Sequence, residues 1–65
     1  MPRLSQRELM MLQDNISNEQ VLINKFGFYA QQVRDPELKQ VFQNIQRTHQ
    51  QHYDILSRQL QAGLQ

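Results

Sequence analysis

The sequence has no cysteine. Disulfides and thiolate zinc sites are therefore excluded, and the composition suits a reducing, intracellular compartment. There is no long hydrophobic run: the apolar runs are a few residues long, where a bilayer span needs about 20. There is no block of one charge either. Seven basic and six acidic residues are interspersed, for a net charge of +1, and no stripe exists to neutralise a row of phosphates. That argues against a dedicated nucleic-acid binder. The first residues show no cationic stretch followed by an apolar core, so no signal peptide is predicted.

The chain is also short. Sixty-five residues make one small domain, which buries a smaller share of its surface than a larger one and needs some added staple. Without cysteine, the remaining staples are oligomerisation and a metal held by nitrogen and oxygen.

What the chain has in excess is glutamine, thirteen in all. Glutamine is a fair helix former, and here it alternates with periodic apolar residues, which reads as an uncharged helix surface. Ser5-Gln6-Arg7-Glu8 has the form of a capping box. An apolar series follows at Leu9, Leu12, Ile16, Glu19, Ile23, Phe26, Ala30 and Val33, in alternating steps of three and four. This is a heptad seam with one polar member. Gly27 lies within it at a cost of about 1 kcal/mol relative to alanine, which close approach of a second helix would explain.

The strong break is Arg34-Asp35-Pro36-Glu37. A residue before proline avoids the helical region, so the first helix ends near Val33 or Arg34. Asp35 then caps a second helix, with Pro36 at its first position and Glu37 in its first turn. The second seam is Leu38, Phe42, Ile45, His49, His52 and Leu56, with Leu60 close by. Gly63 is placed to end this helix.

So short a turn makes the helices antiparallel neighbours. The expected fold is all-α: a single hairpin domain with helices over about 5–34 and 36–62. Facing residues have numbers summing to about 68, so Phe26 meets Phe42, Glu19 meets His49, Ile16 meets His52 and Ala30 meets Leu38. Two helices cannot cover the flanks of their own seam. Leu22 and Tyr29 on the first helix, and Val41, Tyr53 and Ile55 on the second, are left as a candidate dimer interface. Val21 and Phe28 lie further round. A homodimeric four-helix bundle is the simplest closed solution.

Within the seams, one carboxylate and the only two histidines fall at one level: Glu19, His49 and His52. Burying such groups is costly unless they are paired or metal-bound. Three readings stay open, one of them that the register is mistaken and these side chains are exposed. They could ligate Zn²⁺, Fe²⁺ or Mn²⁺, with Thr48 and nearby glutamines in support. They could equally form a hydrogen-bonded layer that sets register without a metal. No catalytic residue is assigned. Asp54 and Arg58 are spaced as an i, i+4 pair.

Several segments together resemble the bacterial spore coat protein F family, of the ferritin-like superfamily. They are L-S-Q-R-E-L-M-M-L-Q-D, the N-E-Q of Asn18–Gln20, K-F-G-F-Y-A, D-P-E-L-K-Q-V-F and H-Q-Q-H-Y-D-I-L. The resemblance runs from roughly Leu4 to Leu60. It implies half of a ferritin-like bundle, a non-enzymatic structural role in the spore coat, and other coat proteins as partners. Longer relatives carry two such hairpins. The ferritin-like metal motif has a Glu on one helix and Glu-x-x-His on the next. Glu19 and His52 match it, whereas His49 stands where the motif has Glu, which removes a carboxylate that would bridge two irons.

Overall fold

The computed structural model describes residues 3–64. Met1 and Pro2 of the lead-in, and Gln65, lie outside the described residues. Two helices account for nearly all of it: α1, Gln6–Gln32, and α2, Pro36–Gly63. They pack against each other as an antiparallel hairpin 51 Å long. Among the described residues there is no strand, and no helix is long and apolar enough to cross a membrane.

Both helix starts follow from the sequence chemistry. Ser5 is extended and accepts from the Glu8 backbone N–H at 3.1 Å, while the Ser5 N–H donates to Glu8 Oε1 at 2.9 Å. Two otherwise orphaned donors are thereby satisfied. Asp35 accepts from the Glu37 N–H at 2.9 Å, with Pro36 opening α2. The helix ends differ slightly from expectation. Helix α1 stops at Gln32 because Val33 is already extended (ψ 145°), its N–H closing back onto the Tyr29 carbonyl at 3.1 Å. Gly63 does not terminate α2 by a left-handed turn. It is the last helical residue, Leu64 is the cap, and no glycine has positive φ.

What glycine provides at position 63 is room. It is buried, and a side chain there would meet Leu4 Cδ1 at 2.5 Å. Leu4 lies across it, the Arg3 N–H donates to the Gly63 carbonyl at 3.0 Å, and Arg3 Nη2 donates to Gln59 Oε1 at 2.8 Å. The lead-in is thus a clasp over the open end of the hairpin.

The expected register is present where side chains mark it. The Phe26 and Phe42 rings lie 5.8 Å apart, Tyr29 and Phe42 5.7 Å, and Glu19 meets His49. All eight members of the α1 seam are at least half-buried. The α2 seam needs correction in two places. Leu38 is exposed, at a level where α1 offers only the methyl group of Ala30. His52 is exposed too, whereas Gln46, Tyr53 and Ser57 turn inward with Phe42, His49, Leu56 and Leu60. A straight helix drifts about 20° per heptad against a strict 3.5-residue repeat, and the buried stripe of α2 drifts with it.

Two sides of the hairpin differ in character. Gln46 meets Gly27 across the interface, so the α1 flank bearing Gly27 and the α2 flank bearing Gln46 share one side. On a wheel of about 100° per residue, Leu22 and Tyr29 lie on the opposite flank of α1, and Val41 and Ile55 on the opposite flank of α2. These four therefore share the other side. Leu22 is half-buried, and Tyr29, Val41 and Ile55 are exposed. Met11 lies on the same flank as Leu22 and is also exposed. Tyr53 follows Gln46 by seven residues and lies in line with it, half-buried in the hairpin itself. One side is apolar, and the other is amide-rich, with Gln43, Gln46, Arg47 and Gln50 lining a shallow depression.

Candidate functional site

The heptad spacing of α1 places Glu19 at mid-seam, and the facing position of α2 places His49 opposite. Glu19 Oε2 and His49 Nδ1 are 2.6 Å apart. A carboxylate can only accept, so the His49 Nδ1–H donates. The distance is that of a short, charge-assisted bond. His52, three residues on and on the same side of α2, brings its Nδ1 to 3.6 Å from the other oxygen, Glu19 Oε1. That is too long for a hydrogen bond. The side chains are 16% exposed for Glu19, 22% for His49 and 50% for His52. The group is closed towards the seam and open to solvent at His52.

Packing holds the centre in place. The Phe26 ring stacks on the His49 ring, with centroids 6.1 Å apart and planes 9° from parallel. The His49 and His52 rings meet edge to face at 5.6 Å. Phe26 also touches Phe42 and Tyr29. The orientation of His49 therefore rests on the largest apolar layer of the hairpin, one turn away. Among the described residues, neither Glu19 oxygen meets a lysine or arginine.

One ligand atom from each of Glu19, His49 and His52 lies within 4.8 Å of the others. The three residues singled out from the sequence are thus brought together. The supporting residues are not. The Thr48 hydroxyl turns back to the Asn44 carbonyl of its own helix at 3.1 Å, and Gln50 donates to Asp54 at 3.1 Å. Asp54 is paired in this way with Gln50, and no ion pair with Arg58 is present among the described residues.

Sequence reasoning missed Gln46. Its amide Nε2 donates to the Ile23 main-chain carbonyl at 3.1 Å, fastening the helices one layer from Glu19. The signal was available: at a register sum near 68, position 46 falls next to Ile23, and Gly27 one turn on leaves space for a side chain to cross.

Comparison with models of protein families, with curated proteins and with solved structures finds no match for the chain.

Proposed function

We propose that the chain is a non-enzymatic assembly protein whose hairpin pairs through its apolar side with a second copy, giving a ferritin-like four-helix bundle. The observation that carries this reading is how little the hairpin buries alone. Among the described residues only Ala30 and Gly63 are buried, and no large side chain is fully buried. The accessible surface is 5162 Å², against roughly 4,400 Å² for a compact monomer of this mass. The excess, roughly 800 Å², is about the area one partner contributes to a standard interface. Tyr29, Val41 and Ile55 are exposed on the side where that area would be covered.

A second copy is the fitting occupant because a two-fold axis presents the same apolar side twice, and isologous pairing is the commonest way to close such a surface. In this reading the Glu19–His49 pair fixes which layers face each other, as buried polar groups do in helical bundles. A structural role in the spore coat, alongside other coat proteins, is part of the proposal and rests on the family resemblance of Leu4 to Leu60. The absence of an enzymatic role rests on His49, which stands where the ferritin-like motif has a bridging carboxylate.

Mass in solution tests the reading. Sedimentation equilibrium at micromolar concentration should give twice the chain mass, and Ile55→Asp should shift it to the monomer. A helical, cooperatively folding monomer would overturn it. A poorly folded monomer would overturn it too, and would favour an adaptor that folds on a partner helix of different sequence.

A further inference from the structure

We propose that Glu19, His49 and His52 bind a single divalent transition-metal ion of the zinc, iron(II) or manganese(II) class. A register-setting layer needs only Glu19 and His49, which are already joined at 2.6 Å. It gives His52 nothing to do. Yet the His52 Nδ1 faces the second oxygen of the same carboxylate, at a distance no hydrogen bond uses, 3.6 Å. Two imidazole nitrogens and one carboxylate oxygen converge from two helices, and His52 stands at the solvent edge.

The spacing suits an ion. Ligands about 2.0–2.1 Å from a tetrahedral metal lie about 3.3–3.4 Å from one another. The contacts to the two Glu19 oxygens, 2.6 Å from His49 to Oε2 and 3.6 Å from His52 to Oε1, bracket that value, and the three ligand atoms lie within 4.8 Å of one another. His49 is steadied by its stack on Phe26, while His52 is half-exposed and free to close the gap. On binding, the ion takes the place of the Nδ1 proton between His49 and Glu19, and His49 ligates through Nδ1 as the neutral imidazole with its proton on Nε2.

Two imidazoles and one carboxylate select a borderline transition ion over Mg²⁺ or Ca²⁺, which prefer oxygen alone. The site holds one ion, because no further His, Asp or Glu joins the cluster among the described residues. Three protein ligands leave a position open, and His52 is the most exposed of the three.

Native mass spectrometry of untagged protein titrated with Zn²⁺ tests this, since it reads metal and assembly separately. The expected result is one Zn²⁺ per chain at micromolar concentration, unaffected by excess Mg²⁺, whether the chain is a monomer or a dimer. His52→Gln should weaken binding by at least roughly tenfold, a ligand counting for no less than the groups that support one, with helicity unchanged because the His52 side chain is half-exposed in the hairpin. Co²⁺ should give a ligand-field absorption band that His52→Gln alters. No Zn²⁺ bound, or equal binding by the wild type and His52→Gln, would overturn the proposal. If Glu19→Gln remains helical, equal binding by that variant would overturn it as well.

Discussion

Gln46 reaches across the hairpin and donates its side-chain amide to the main-chain carbonyl of Ile23, at 3.1 Å, through space that Gly27 leaves open. A β-carbon at position 27 would stand 2.5 Å from the Gln46 Nε2 and 3.2 Å from its Cδ. Gly27→Ala must therefore displace the amide, losing about 0.5–1.5 kcal/mol of hydrogen bonding while gaining about 1 kcal/mol of helix propensity. The net change should be small. In a Gln46→Ala background only the gain remains, so the same substitution should stabilise by about 1 kcal/mol. Urea denaturation of the four proteins in the cycle checks this. Equal effects of Gly27→Ala in both backgrounds would show that the amide and the glycine are not coupled.

The aromatic layer should be the most sensitive to truncation. Phe26 touches Phe42, Tyr29 and His49, yet it is only half-buried. Phe26→Ala should cost about 2–4 kcal/mol, somewhat below the value for a fully enclosed phenylalanine. For so small a domain that loss should show as a largely unfolded chain at room temperature, read by far-ultraviolet circular dichroism.

The Glu19–His49 pair allows a comparison of single and double replacements. Either Glu19→Leu or His49→Leu alone leaves a half-buried polar partner unsatisfied, at about 1–3 kcal/mol. The double replacement removes both polar groups and should recover most of that loss, or exceed it. Thermal unfolding midpoints of the three variants measure this. A double variant less stable than either single one would refute it.

The N-terminal cap carries a pH dependence. The Ser5 backbone N–H, and then its side chain, hold the Glu8 carboxyl below its ordinary value of 4.5. Since the folded value is the lower, the capping contribution is fully present above the ordinary value and is lost as pH falls through the lowered one. The first turn of α1 should fray under acid conditions while the middle of α1 persists, as amide exchange at Arg7–Leu9 would show. In Glu8→Gln this acid-dependent fraying should disappear.

If two copies complete the fold, the midpoint of thermal unfolding should rise with protein concentration, because unfolding is then linked to dissociation. Midpoints that stay constant over a hundredfold dilution would mean that one hairpin folds alone.

Much of this architecture was legible because α1 obeys a strict heptad: Leu9, Leu12, Ile16, Glu19, Ile23, Phe26, Ala30 and Val33 all turn inward. The turn at Asp35-Pro36 then set the register that brings Glu19 to His49. Helix α2 was harder to read because its buried stripe passes through Gln46 and Ser57, whose polarity hides them from an apolar template, while Leu38 and His52 fall at the heptad spacing and stay exposed. Gly63 does end α2, as its place in the sequence predicts, but a second reason for glycine there was hidden. A glycine near a helix end signals a left-handed cap, and nothing local reveals that Leu4, remote in sequence, needs its space.

The clasp of Arg3 and Leu4 on Gly63 has a topological consequence. With residues 3 and 63 in contact at one pole and a short turn at the other, the backbone is one peptide linker short of a ring. A chain opened at Arg34, with a few residues joining Leu64 to Arg3, would place α2 before α1 and keep each layer facing its present neighbour. Such a permuted chain is expected to keep the hairpin, because the cyclic order of its two helices is unchanged.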